Sequence, residues 1–177
     1  MDMDKNDIRK ELPKLVITDI DGVWTDGGMY YTADGDVMKK FSVRDGWGVS
    51  MLRRHGIDTV IMTGENSEVV MQRARKLSID QCHIGVRDKL GLAKSICEER
   101  RISLQDVAFI GDDINDLPLL RAVGLSATPA DASDYIQREV DYVTQTRGGQ
   151  GAFREFVEKI LSDGGLLHAT VEALLPL

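Results

Sequence analysis

A chain of 177 residues, 42% hydrophobic and 29% charged, carries enough apolar material for one full core and none of the bias of a disordered or fibrous protein. Its 29 acidic against 22 basic residues, a formal charge of -7, argue against nucleic acid or an anionic membrane as the main partner, since both call for basic patches. No apolar run approaches a membrane span, and the opening Met1-Asp2-Met3-Asp4-Lys5-Asn6-Asp7 lacks a signal-peptide core, so a cytoplasmic location is expected. The cysteines Cys82 and Cys97 have no CxxC or Cys/His ligand spacing and read as reduced packing residues.

In chain order, Leu15, Val16 and Ile17 form the continuous apolar run of a strand covered on both faces. That run ends at Asp19 and Asp21, two carboxylates that need a metal, a cation or solvent at a buried strand's end. From Gly27 to Phe41, two short strands around a turn at Asp34-Gly35 predict a β-hairpin inserted early. A helix is expected from Asp45 to His55, stopped by Gly56. Ile57 to Met62 is a second buried strand, followed by Thr63-Gly64-Glu65-Asn66-Ser67 and a helix facing inward through Val70, Ala74 and Leu77. Cys82-His83-Ile84 is a short strand, and Lys89 opens a helix with Ala93, Ile96 and Cys97 on one face. Val107 to Ile110 is a clear strand running into Gly111-Asp112-Asp113-Ile114-Asn115-Asp116, with a helix carrying Leu119, Leu120 and Val123 behind it. Leu125 to Ala127 and Tyr142-Val143 are expected as strands around a helix from Ala132 to Arg138, and Phe153, Phe156, Val157, Ile160 and Leu161 mark an amphipathic helix. The apolar tail, with Leu166, Leu167, Val171, Leu174 and Leu175, docks either on a neighbouring subunit or on the domain's own core.

Strands alternating with helices predict an α/β fold: a three-layer, Rossmann-like parallel sheet with helices on both faces, an early hairpin insertion and no cap domain. A single domain is expected over 1–177, with the hairpin at about 24–41 and the tail at about 162–177. In such sheets the loops beyond the strands' carboxyl ends share a crevice, so Asp19, Asp21, Thr63, Gly64, Asp112, Asp113 and Asp116 can meet. Carboxylates with an open position suit Mg²⁺, which commonly joins protein oxygens to a phosphate. Thr63 offers a hydroxyl, Gly64 an open N–H and the following helix its amino end, a small anion cradle to which Lys89 adds charge. Taken singly, Asp-x-Asp-Gly is more often a turn, Thr-Gly can simply begin a helix, and Asp113 and Asp116 can serve the helix dipole. His55, His83 and His168 lack ligand spacing.

Asp19-Ile20-Asp21-Gly22-Val23, Thr63-Gly64, Lys89 and Gly111-Asp112-Asp113-Ile114-Asn115-Asp116 resemble, in order, the four motifs of the haloacid dehalogenase-like phosphatases. The resemblance spans nearly the whole chain, and the early hairpin with Arg147-Gly148-Gly149-Gln150-Gly151-Ala152-Phe153-Arg154 is similar to the capless branch of 3-deoxy-D-manno-octulosonate 8-phosphate (KDO 8-phosphate) and nonulosonate 9-phosphate phosphatases. It implies Asp19 as nucleophile, giving an aspartyl phosphate, and Asp21 as acid and then base. It implies Mg²⁺ on the Asp19 carboxylate, the Asp21 carbonyl and Asp112, with Asp116 behind them. Thr63, Gly64 and Lys89 would bind phosphate, and Asn115 would orient the loop or substrate. A homotetramer is implied too, with a neighbour's hairpin or tail, or Arg147 and its glycines, covering the crevice.

Many KDO 8-phosphate phosphatases have arginine after the Thr-Gly pair where this chain has Glu65. A glutamate accepts hydrogen bonds from hydroxyls and repels anions, which points to the nonulosonate branch and 2-keto-3-deoxy-D-glycero-D-galacto-nononate 9-phosphate (KDN 9-phosphate). Lys76 or Arg73 would then meet the sugar's carboxylate. KDO 8-phosphate is the alternative substrate. A non-catalytic assembly or regulatory domain, of the kind fused to acylneuraminate cytidylyltransferases, is the alternative class, and the presence of both Asp19 and Asp21 speaks against it.

Overall fold

In the computed structural model, which describes residues 11–175, the chain runs β1 (Leu15–Thr18), β2 (Tyr30–Thr32), β3 (Gly35–Met38), α1 (Val43–Arg54), β4 (Asp58–Met62), α2 (Glu68–Lys76), β5 (Gln81–His83) and α3 (Lys89–Arg100). It continues through β6 (Val107–Ile110), α4 (Leu117–Leu120), β7 (Leu125–Thr128), α5 (Asp134–Gln137), β8 (Tyr142–Val143), α6 (Ala152–Asp163) and α7 (Leu167–Glu172). The charged opening stretch from Met1 to Asp7 lies outside the described residues.

Six strands pair in parallel in the order β5-β4-β1-β6-β7-β8, with β1 in the middle: Val16 lies opposite Thr59 on one side and Ala108 on the other. Successive side chains leave a strand on opposite faces, and the core divides accordingly. Val16, Ile61, Ala108 and Ile110 face one layer, built from α1, α2, α6 and α7. Leu15, Ile17, Val60, Met62, Val107 and Phe109 face the other, built from α3, α4 and α5. Both faces of the central strands are therefore dry, which accounts for the uninterrupted apolar runs in the sequence. The predicted three-layer fold is the observed one.

The hairpin forms its own two-stranded sheet, β2 against β3, standing off the main one with Tyr30, Tyr31 and Met38 exposed. At its root Trp24 is fully buried, its ring 4.9 Å from that of Phe153 in α6, with the indole N–H donated to Thr18 Oγ1 at 2.9 Å.

Some elements differ from the sequence expectation. α1 starts two residues early because the Ser42 hydroxyl caps it, accepting from the Arg44 N–H at 3.2 Å. α4 is short, since a 3-10 turn at Ile114–Asp116 takes its first turn, and Val123 packs beyond its end. The helix expected over Ala132 to Arg138 is only α5, four residues long. The described part of the tail folds onto its own domain: Leu166, Leu167, Val171 and Leu174 pack on the α1–α6 face, and His55 Nε2 lies 2.7 Å from Thr170 Oγ1. Since the Thr170 hydroxyl donates to the Leu166 carbonyl, the histidine is the donor in that contact. Cys82 and Cys97 are free thiols, held above their usual pKa by burial.

Candidate active site

Asp19 is placed by the sheet itself. Its N–H continues the β1–β6 ladder by donating to the Ile110 carbonyl at 3.0 Å, so the side chain emerges at the carboxyl edge with 4% exposure. Ile20 then turns inward, and its carbonyl accepts from the N–H groups of Val23, Trp24 and Thr25, a tight turn that leaves Asp21 on the crevice side. The Asp21 carboxylate has three neighbours: Lys39 Nζ at 2.7 Å and the Thr25 hydroxyl at 3.5 Å on Oδ1, and the Thr63 hydroxyl at 3.4 Å on Oδ2. Gly22 follows at φ +83, and a Cβ there would lie 1.8 Å from Asp112 Oδ2, so only glycine lets the two loops close on each other.

The end of β6 supplies the second acidic group. Asp116 is fully buried and committed: Oδ1 takes the Lys89 ammonium at 2.5 Å, and Oδ2 accepts the Asp112 and Asp113 N–H groups at 2.9 and 3.4 Å. The side chain of Lys89, first residue of α3, is 1% exposed and also lies 3.1 Å from Asp19 Oδ1. Burial pulls the lysine's pKa down, but the Asp19 and Asp116 carboxylates outweigh it and hold the ammonium above its usual range. Burial, then repulsion from Asp116 and Asp113, pushes Asp112 up to about 7. Burial and repulsion from Asp116 and Asp112 likewise raise Asp19 well above an ordinary carboxylate, against the pull of Lys89.

Lys89 thus faces a surplus of negative charge from Asp19, Asp112 and Asp116. Oxygens of Asp19, Asp112 and Asp116 come within 4.8 Å of one another, and the buried Asp19 Oδ1 has the Lys89 ammonium beside it at 3.1 Å. Both Asp116 oxygens are engaged within the protein, so Asp19 and Asp112 are the carboxylates placed to bind, and their donor set suits a hard divalent cation that would relieve this repulsion.

The third wall is the loop after β4. Thr63, Gly64 and Glu65 line a crevice of about 250 Å³ with Asp19, Asp21, Asp112, Asp113 and Asn115. Gly64 faces Asn115: a Cβ on it would be 3.7 Å from Asn115 Nδ2. The loop is braced from behind, Val86 N–H donating to the Thr63 carbonyl at 2.9 Å and Gly85 N–H to the Glu65 carbonyl at 3.1 Å. The expected helix amino end stands back, since α2 begins only at Glu68. Thr63 and Gly64 therefore stand at the crevice as loop residues.

Two expected substrate contacts lie elsewhere. Arg73 turns toward the base of α1, donating to the Ser42 carbonyl at 3.1 Å and lying 5.7 Å from the Phe41 ring centre. Lys76 is exposed at the last position of α2, a helix that starts beside the crevice and leads away from it. Neither lines the crevice, whereas Glu65 does.

Residues 66–155 match the model of the haloacid dehalogenase-like hydrolase family. The 3-deoxy-D-manno-octulosonate 8-phosphate phosphatase KdsC of Haemophilus influenzae is 40% identical over 152 residues, 86% of this chain and 84% of that protein. The chain belongs to the haloacid dehalogenase-like hydrolases. Among solved structures, the cobalt-bound H. influenzae phosphatase (YrbI) superposes with a TM-score of 0.85 at 39% identity, covering 89% of this chain and 92% of that one. The Moraxella catarrhalis 3-deoxy-D-manno-octulosonate 8-phosphate phosphatase, in complex with magnesium, phosphate and KDO, superposes at 0.87 with 34% identity, covering 92% and 94%.

Two features of this hydrolase escaped the sequence reading. Lys39, at the foot of the hairpin, touches Asp21 from 18 residues away, and only the adjacent pair Lys39-Lys40 beside apolar residues hinted at an inward lysine. The loop from Arg147 to Gly151 braces its own chain. Arg147 pairs with Asp131 at 3.4 Å, Gly149 N–H donates to the Val23 carbonyl at 3.0 Å, and a Cβ on Gly148 would lie 2.0 Å from the Gly22 carbonyl oxygen. The glycines thus allow this loop to back the turn that carries Asp21.

Proposed function

We propose that this protein is a Mg²⁺-dependent phosphatase that removes the phosphate of KDO 8-phosphate, with Asp19 and Asp21 as its catalytic residues. It is a phosphoric monoester hydrolase by family. The observation that carries the mechanism is the crowding of Asp19 and Asp112 at the ends of β1 and β6, with Asp19 Oδ1 buried 3.1 Å from the Lys89 ammonium.

An Asp19 oxygen attacks phosphorus, the bond from phosphorus to the sugar oxygen breaks, and Asp21 gives that oxygen a proton. Water then attacks phosphorus, Asp21 takes its proton, and the bond to Asp19 breaks, returning the carboxylate and releasing phosphate. Mg²⁺ held by Asp19 and Asp112 would supply charge neutralisation for the phosphoryl oxygens. Thr63 and Gly64 offer donors to those oxygens from a braced loop, and the Asp116–Lys89 pair fixes the ammonium beside Asp19.

The substrate assignment rests on the relatives, whose names carry the eight-carbon sugar, and it replaces KDN 9-phosphate as the leading reading. KDN 9-phosphate remains a second reading because Glu65 lines the crevice. We also propose self-association into a homotetramer, supported by Met29, Tyr30, Tyr31 and Met38 exposed on and beside the hairpin and Trp47 on α1. Phosphate release from KDO 8-phosphate, KDN 9-phosphate and a hexose phosphate, with Mg²⁺ and with chelator, tests the assignment. Preference for KDO 8-phosphate supports it, and preference for KDN 9-phosphate transfers it to the second reading. Metal-independent turnover would end both. Sedimentation as a monomer would end the tetramer.

A further inference from the structure

Lys39 is unusual for a lysine on an exposed hairpin: its side chain has no exposed surface, while Tyr31 and Met38 on the same hairpin are more than half exposed. A buried ammonium is costly without a counter-charge, and this one lies 2.7 Å from Asp21 Oδ1. Its nitrogen is also 3.9 Å from the Met29 sulfur, so the foot of the hairpin closes over the pair from the strand that enters and the strand that leaves. With Oδ1 held by Lys39, the carboxylate plane cannot rotate freely, and Oδ2 is turned toward Thr63 and the phosphate cradle. The neighbouring Lys40 makes a contrasting pair with Asp26 at 3.0 Å, with both side chains solvent-exposed, of the kind that contributes little.

We infer that Lys39 is a positioning residue for the proton transfers of Asp21, through which the hairpin sets the geometry of the reaction. This rests on the phosphatase reading and on Asp21 as the proton donor. A lysine that merely props the fold would slow every substrate alike. One that aims the acid matters in proportion to how much the leaving group needs a proton. A sugar alkoxide needs one, whereas nitrophenolate and acetate leave without it.

The test is kcat/KM, which reports the steps through the first displacement, for KDO 8-phosphate and for two activated esters, p-nitrophenyl phosphate and acetyl phosphate. Lys39→Met and Lys40→Met are compared with the unaltered enzyme in Mg²⁺. Because the ratio of two kcat/KM values does not depend on how much of a preparation is folded, it remains readable in a destabilised variant. If Lys39→Met leaves no active protein, Lys39→Gln, which keeps an amide donor, is read the same way. Lys39→Met is expected to lower the sugar-phosphate value about 10- to 100-fold and the activated-ester values less than about threefold, with Lys40→Met within about twofold throughout. An equal loss on all substrates, or no loss on the sugar phosphate, would overturn the inference while leaving the phosphatase reading intact. An unaltered enzyme that hydrolyses none of these esters with Mg²⁺ would remove the phosphatase reading itself.

Discussion

Replacing Lys89 by methionine keeps most of the buried stem and deletes the ammonium that faces Asp19 and Asp116. The ammonium lies 2.5 Å from Asp116 and 3.1 Å from Asp19, and the three side chains are 1%, 0% and 6% exposed, so solvent screens the contacts little. Removing one partner of a buried ion pair leaves uncompensated charge and typically costs about 3–5 kcal/mol. For a domain of this size that corresponds to a fall in Tm of about 6–20 °C. The pH dependence has a definite sign. Asp19 already sits well above its unfolded value, through burial and the neighbouring carboxylates, and losing Lys89 raises it further. A carboxylate whose folded pKa is raised costs nothing below its unfolded pKa and costs progressively more as pH rises through the folded one, so the destabilisation should be larger at pH 8 than at pH 5. Urea denaturation followed by circular dichroism, in chelator at both pH values and again with excess Mg²⁺, measures this. Mg²⁺ should restore part of the loss, since binding to the folded state alone stabilises it by mass action. A cost below about 1 kcal/mol at pH 8, the level of an exposed pair, would refute the reading of Lys89 as the counter-charge of the site.

Two further outcomes follow from the geometry. Asp45 in α1 accepts the Arg154 N–H at the start of α6, yet burial, only partly offset by that bond and by Arg73, pushes it up to about 7. Its raised value means that it costs nothing below about pH 4 and up to about 4 kcal/mol above pH 7, so Asp45→Asn should stabilise the protein more at pH 8 than at pH 4 in denaturant titrations. Equal effects at both pH values would contradict this. Gly22→Ala forces a side chain into φ +83 and toward Asp112 Oδ2. Stability should drop by about 1–2 kcal/mol, and the Mg²⁺ concentration for half-maximal activity should rise, which a metal titration of turnover would reveal.

The sequence makes the sheet legible for a plain reason: strands buried on both faces must be apolar throughout, and carboxylates at their ends interrupt that pattern sharply. Asp19, Asp112 and Asp116 are legible in the same way, because each lies within a few residues of a strand that positions it. What sequence cannot convey is long-range direction. Lys39 and Lys40 are identical as letters, yet one is buried against Asp21 and the other is exposed beside Asp26. Arg73 sits at helical spacing that gives a face but no partner, and it is drawn to Phe41, the Ser42 carbonyl and the neighbourhood of Asp45 instead of the crevice. The resemblance implies an Arg147 loop at a neighbour's crevice, while the apolar tail as a sequence fits either a neighbouring subunit or the domain's own core. In the fold Gly148 and Gly149 fit against the turn at Gly22, and Val171 and Leu174 find apolar surface on their own domain. Glu65 is a different case: its position at the crevice is as expected, but recognition of a sugar depends on every group that surrounds it.

A covalent bond between phosphorus and Asp19 is detected by acid-quenching the enzyme within milliseconds of mixing with KDO 8-phosphate and Mg²⁺ and mapping phosphate by mass spectrometry. Transient phosphate is expected on the peptide containing Asp19, absent in Asp19→Ala and in chelator. Phosphate release at full rate with no such adduct, or an adduct on another residue, would contradict it.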